Sequence, residues 1–187
     1  MNPIRSRPKL ALRLGALFLA LASESLLAGT KVTVTAPSGF AEGISRIALV
    51  TPNCAPQLDC PDVVKRVTAT IKAELKLSFA IVADSRVREE LFKLGATEFR
   101  SEHREALARA LDLQALLEID IPFAERGDGY GGRQGSETKV ELRLVRPSGE
   151  ILMSGIGFGR PMNVVTSPER VADRTAKEIL EKAFAKR

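Results

Sequence analysis

Leu116-Leu117-Glu118-Ile119-Asp120-Ile121-Pro122-Phe123 is the stretch on which the fold class turns. Leu117, Ile119, Ile121 and Phe123 occupy alternate positions, with Glu118 and Asp120 between them. Successive strand side chains point to opposite faces, so this spacing predicts a β-strand with one buried and one half-solvated face. Such a strand needs partners, and two follow it. Thr138 to Val145 is reached through the glycine-rich segment Gly127 to Gly135, and Ile151 to Phe158 through the turn Pro147-Ser148-Gly149.

Upstream the periodicity changes. Arg46 to Val50 (RIALV) and Phe79 to Ala83 (FAIVA) are short apolar runs, read as buried strands. Between them, Asp62 after Pro61 opens a helix on which Val63, Val67, Ile71 and Leu75 recur every four residues. Asp84-Ser85 reads as an N-cap, Val87, Leu91 and Leu94 as an apolar stripe, and Gly95 as the stop. Ser101 to Leu111 predicts a further helix, with Ala106, Leu107, Ala110 and Leu111 facing inward. Ser167-Pro168-Glu169 starts the last one, with a Ser cap, Pro in the first turn and an acid near the positive end of the dipole. Val171, Ile179, Leu180, Ala183 and Phe184 supply its buried face. Lys31 to Thr35 alternates and is a candidate edge strand, broken by Ala36-Pro37-Ser38-Gly39. The order β-β-α-β-α-α-β-β-β-α predicts a single α/β domain, a mixed sheet of about five strands with helices packed on it.

The first residues address a compartment. Arg5, Arg7, Lys9 and Arg13 precede the apolar run Leu14 to Ala22, whose Ala20-Leu21-Ala22 supplies a small-x-small cleavage site. This layout reads as a secretory signal peptide over residues 1–22, with cleavage as late as 28–29 as the alternative. The run is far short of the roughly 20 residues a spanning helix needs. No Arg-Arg pair precedes it, so the general secretory route is expected, and with it a periplasmic or secreted protein. Residues 23–43 then form an N-terminal extension that holds the candidate edge strand, and residues 44–187 the domain. Leu26-Leu27-Ala28-Gly29 resembles the end of a lipoprotein signal, but Thr30 stands where the lipid-bearing Cys would be. Thr has no thiol to form the thioether that carries the lipid, so no lipid anchor is expected.

Removing residues 1–22 takes away four of the 28 basic residues and none of the 23 acidic ones. The remaining 24 bases against 23 acids lack the electrostatic footprint of a nucleic-acid binder. Cys54 and Cys60 are the only cysteines, in the Pro-rich TPNCAPQLDCPD. In an oxidising compartment they are read as a disulfide closing a short loop, with two free buried thiols as the alternative. Their spacing is not that of a Cys-x-x-Cys redox pair, and with His103 the only histidine a zinc site lacks ligands.

Several cues in order carry a family resemblance. Arg46-Ile47-Ala48-Leu49-Val50 matches an opening strand and Phe79-Ala80-Ile81-Val82-Ala83-Asp84 a second strand leading into a helix. Leu111-Asp112-Leu113-Gln114-Ala115-Leu116-Leu117 looks like the step into a third. Leu142-Arg143-Leu144-Val145-Arg146-Pro147-Ser148-Gly149-Glu150-Ile151-Leu152 looks like a final hairpin. From about Ile44 to Phe184 the chain resembles the small envelope domain shared by the curli-secretion lipoprotein CsgG, the penicillin-binding-protein activator LpoB and the N-terminal domain of TolB. The resemblance implies a mixed sheet with packed helices and an envelope protein partner rather than catalysis. The chain departs from the family in Thr30, in having no room for long pore hairpins, and in carrying no β-propeller.

Candidate chemistry is sparse. Gly127-Asp128-Gly129-Tyr130-Gly131-Gly132 fits G-x-G-x-x-G, but a strand follows where a nucleotide fingerprint needs a helix, so no cofactor is expected. The segment reads as a hairpin loop, either a plain connector or an interaction tip presenting Arg126, Tyr130 and Arg133. His103, among Glu102, Arg104 and Glu105, reads as a surface histidine. Glu118 and Asp120 share a strand face, and paired carboxylates can do acid–base work. Arg143 and Lys139 on the neighbouring strand offer plain charge pairing instead. The expected protein is a non-enzymatic periplasmic protein-binding module of envelope assembly or secretion. The alternatives are a cell-wall hydrolase using Glu118 and Asp120, or a plain structural subunit.

Overall fold

Among the described residues, alternation in the C-terminal half and four-residue periodicity elsewhere fold into one mixed six-stranded sheet with four α-helices. The computed structural model describes residues 29–54, 60–125, 137–159 and 167–185. The elements are β1 (Thr30–Thr35), β2 (Arg46–Cys54), α1 (Cys60–Leu75), β3 (Ala80–Ile81), α2 (Asp84–Lys93), α3 (Arg104–Leu111), β4 (Ala115–Glu125), β5 (Glu137–Val145), β6 (Ile151–Gly159) and α4 (Pro168–Phe184). The spatial order is β1-β6-β5-β4-β2-β3. β2 runs parallel to β3 and β4, and the other pairs are antiparallel. Fold class and element order are those expected from the sequence.

The two sheet faces are covered unequally. α1 and α4 pack side by side over one face, burying Ile47, Leu49, Leu117, Ile119, Ile121, Leu142 and Leu144. α2 and α3 cover only part of the other, where Ala48, Val50 and Leu116 meet Val87, Leu91, Leu107 and Leu111. The rest of that second face, on β4, β5, β6 and β1, carries no helix among the described residues.

Side chains of α4 rest directly on the backbone of β6, which reads Gly155-Ile156-Gly157-Phe158-Gly159. The three glycines face α4. A Cβ on Gly155 would collide with Ile179, one on Gly157 with Thr175, and one on Gly159 with Thr175 and Val171. The small residues Ala172, Ala176 and Ala183 complete the buried side of the helix. Thr175 is fully buried and satisfies its hydroxyl by donating to the Val171 carbonyl at 2.8 Å. At the opposite end of the strands, Gln114 Oε1 accepts from the Arg46 N–H at 2.7 Å and the Ser45 N–H at 3.3 Å. That contact fixes the start of β4 against the start of β2.

Four local expectations are corrected. Phe79–Ala83 yields a strand of only two residues, because Val82 turns into the second core and the chain enters α2. Asp84 does not cap α2: Ala83 occupies the cap position, and the Asp84 carboxylate accepts from Lys72 Nζ at 2.7 Å instead. Ser167 holds the cap position of α4 without a side-chain hydrogen bond, and Pro168 begins the helix. Ser101–Leu111 divides into a 3-10 turn, Ser101–His103, and then α3. The division follows from His103 Nδ1 accepting the Arg100 N–H at 3.1 Å, which caps the turn. Gly95 ends α2 as expected, at φ +77°.

The glycine stripe is open to test. Gly157→Ala inserts a methyl where Thr175 already stands, and overpacking of this kind costs roughly 1–3 kcal/mol. Urea unfolding should show a lower midpoint with an unchanged m-value.

Candidate functional site

Three four-strand rows lie on the uncovered part of the second face, with the β4–β5 pair Glu125–Glu137 beyond them. Glu118, Arg143, Ser154 and Thr35 stand side by side on β4, β5, β6 and β1. Asp120, Glu141, Ile156 and Thr33 form the next row, and Phe123, Lys139, Phe158 and Lys31 the third. The third row lies nearest the ends of the strands from which residues 126–136 connect β4 to β5.

Phe123 reaches this face through a break in register. Asp120 pairs with Glu141 but Phe123 pairs with Lys139, so β4 advances three residues while β5 advances two. The extra residue is a β-bulge, and Pro122, which has no N–H to give the ladder, lies within it. Ile121 stays buried on the helix-covered face and Phe123 is turned over, 39% exposed. The alternation that placed Phe123 beside Ile121 is thereby overturned. β2 shifts register at the same level, between Val50 and Asn53, in a segment containing Pro52.

Glu118 and Asp120 do share a face, but it is not half-solvated. They are 4% and 8% exposed. Arg104, from the start of α3, donates to Glu118 Oε1 through Nε at 3.1 Å and Nη2 at 2.7 Å. Arg143 Nη2 lies 2.5 Å from Asp120 Oδ2 and 3.4 Å from Glu118 Oε2, bridging the two acids. Lys139 Nζ pairs with Glu141 rather than with either carboxylate and sits 5.6 Å from the Phe158 ring centroid. Three acids thus meet three bases. Burial raises the Asp120 pKa above its ordinary value; Arg143 opposes that shift, and Glu118 and Glu141 add to it.

Beyond the ion pairs the face carries three large exposed apolar side chains among Ser154, Thr33, Thr35 and Lys31. Phe158 is 52% exposed and Ile156 37% exposed, beside Phe123. Large apolar side chains together on an uncovered sheet are a mark of an interaction surface. The sequence reading missed Phe158 and Ile156 as site residues. The available signal was β6 itself, where the large side chains alternate with the glycines that face α4.

The other site candidates fall elsewhere. Arg126, Tyr130 and Arg133 lie outside the described residues, as does the whole segment 126–136. Cys54 ends β2 and is not a free thiol; the side chain of Cys60 is outside the described residues, so their pairing is carried forward as a proposal. His103 is engaged in its local turn. Among the described residues no group of three or more His, Cys, Asp and Glu is arranged to hold a metal ion. No helix there is long and apolar enough to cross a membrane.

No protein-family model and no curated protein matches this chain. Solved structures do. The PelC dodecamer from Paraburkholderia phytofirmans shares 14% identity at a TM-score of 0.55, over 82% of this chain and 96% of that one. Lipoprotein GNA1162 from Neisseria meningitidis shares 18% identity at 0.53, over 75% and 98%. These two likenesses show a shared fold. The LpoB C-terminal domain from Salmonella enterica gives a looser match, 16% identity at a TM-score of 0.48 over 66% and 90%.

Two predictions test the ion-pair layer. Arg104→Met leaves the buried Glu118 carboxylate with only the 3.4 Å approach of Arg143 and should lower unfolding free energy by about 3 kcal/mol. Arg104→Met/Glu118→Met should recover most of the loss, because an apolar pair replaces a buried ionic one; chemical denaturation of both variants measures it. The second concerns pH. A carboxylate whose folded pKa is raised binds protons more readily folded than unfolded. It therefore withdraws stability as pH climbs from its ordinary value of 3.8 through the raised folded one. Asp120→Asn lacks this dependence, so its stability relative to wild type should rise over that window in parallel denaturation series. A flat difference would contradict the assignment.

Proposed function

We propose that this protein is a non-enzymatic binding module of the bacterial cell envelope that contacts a protein partner through the open face of β4, β5, β6 and β1. The observation that carries the reading is the row Phe123–Lys139–Phe158–Lys31 beside Ile156. Aromatic side chains held by a rigid sheet lose little entropy on binding and supply most of the contact energy at interfaces. The basic and apolar N-terminal residues support export, Thr30 supports an unlipidated chain, and the Cys54–Cys60 pair supports an oxidising compartment. Kinship to the CsgG, LpoB and TolB domains, and an interaction role for Arg126, Tyr130 and Arg133, belong to the same proposal. PelC is solved as a dodecamer, so self-association belongs among the partners to be tested.

The hydrolase reading retains one supporting observation, the raised pKa of Asp120, since a general acid must hold a proton. Against it, both carboxylates are clasped by guanidinium groups on a sheet face rather than set in a cleft. Asp120→Asn should leave any cell-wall-degrading activity of a purified preparation unchanged.

Two measurements check the proposal. Phe158→Ser and Ile156→Ser change exposed side chains and should leave circular dichroism intact while abolishing crosslinks to the envelope partner recovered with the wild type. Retained crosslinks would reject the face. Reducing the Cys54–Cys60 bond should lower stability by roughly 2–3 kcal/mol in the chain-entropy picture. Two reactive thiols in unfolded, unreduced protein would reject the bond itself.

A further inference from the structure

At the end of the sheet remote from the Phe123 row, a pocket of about 430 Å³ opens beneath the connection from β1 to β2. That volume falls in the range of small-molecule sites. Its apolar wall belongs to the main core, Phe40, Ile44, Phe79 and Ala183, and Ser38, Glu42 and Ser78 add polar atoms to the rest. Phe40 and Phe79 are held in place by the Phe184 ring, at centroid distances of 5.2 and 6.1 Å. The segment over the pocket is a chain of tight turns. Phe40 N–H donates to the Pro37 carbonyl at 3.2 Å, Glu42 N–H to Gly39 at 2.8 Å, and Ile44 N–H to Ala41 at 3.2 Å. Gly39 and Gly43 take the positive φ values these turns require, +70° and +74°.

Among the described residues Glu42 is the only ionisable one lining the pocket, and no described Lys or Arg does. The Glu42 carboxylate folds back over Gly39, so that a Cβ built there would meet Oε1 at 2.6 Å. One helix C-terminus borders the same space, since Ala183 lies in the last turn of α4. The C-terminal end of a helix carries a partial negative charge that favours cations. We infer that this pocket binds a small ligand with an apolar body and a primary or substituted ammonium group, the body against Phe40 and Phe79 and the cation at Glu42. This site is separate from the open sheet face and does not depend on the function proposed for it.

Three probes with one body and three head groups test the inference: 4-phenylbutylamine, 4-phenylbutanol and 4-phenylbutyrate, each titrated into the full chain while amide resonances are followed. The amine should shift amides of residues 36–44, 78–79 and 183 with a Kd of about 1 mM, ordinary for a probe of this size. It should bind about threefold tighter than the alcohol, the scale of one partly exposed charge pair, and the carboxylate weakest. Glu42→Gln alters an exposed side chain, and in it the amine should fall to the affinity of the alcohol. Equal binding of the three probes by wild type would overturn the inference. So would an amine preference that survives Glu42→Gln, shifts confined to the Phe158 face, or no saturable shift by about 10 mM amine.

Discussion

The approach of α4 to β6 sets the architecture of this molecule. A helix resting on strands normally stands off by the length of the side chains between them. Here Gly155, Gly157 and Gly159 remove those side chains from one strand, and Val171, Thr175 and Ile179 descend into the space. The contact is backbone against side chain along three consecutive helical turns. It holds α4 over β6, and α4 in turn orders α1 beside it through Asp173, which accepts from Thr70 and pairs with Arg66 at 3.5 Å. Lys177 adds a pair with Glu74 at 3.2 Å. Adding one methyl at Gly157 would press on the layer that fixes both helices.

The same pattern dictates the opposite face. A strand has two sides, and if one is glycine, every large residue lies on the other. Ser154, Ile156 and Phe158 therefore face away from α4, onto the part of the sheet that α2 and α3 leave uncovered. An apolar row on an uncovered sheet would ordinarily invite aggregation, and this one is flanked by charges. Lys31 and Lys139 stand on either side of Phe158, and Lys139 approaches its ring. Cations beside exposed aromatics oppose indiscriminate stacking while leaving the rings accessible to a complementary surface.

Much of this fold was legible in the sequence because period and punctuation agreed. The 3.6-residue stripes of α1 and α4, the alternation of β4 and β5 and the stops at Gly95 and Gly149 all point to the structure found. What escaped was non-local. The buried carboxylate of Glu118 is met by Arg104, fourteen residues upstream on α3, reaching onto the sheet face. No pattern within the strand announces that partner. Phe123 escaped for a local reason given too little weight: Pro122 cannot take part in the ladder, and a bulge at that point reverses the face of every residue after it. The GxGxG stripe was equally visible, but its meaning required knowing that a helix lies on that side. Asp112, a non-glycine residue at φ +53° ending α3, had no sequence signal beyond the tolerance of Asp for that conformation.

The ion-pair layer bears on where a partner would bind. Glu118, Asp120 and Glu141 are matched by Arg104, Arg143 and Lys139, so this part of the face is close to neutral and its charges are already engaged. A partner would have to break existing pairs to use them, at a desolvation penalty that a new pair seldom recovers. Glu118, at 4% exposure, is scarcely reachable at all. The charges thus serve to close the space between α3 and β5, and the energy of contact must come from what remains accessible. That is the aromatic end of the face, where Phe123 and Phe158 flank Lys139. Two residues beyond Phe123, Glu125 pairs with Glu137 and the chain leaves the sheet for the connection bearing Arg126, Tyr130 and Arg133. Both strand ends that flank this segment, Glu125 and Glu137, stand next to the Phe123–Lys139 pair, while Arg126, Tyr130 and Arg133 themselves lie outside the described residues.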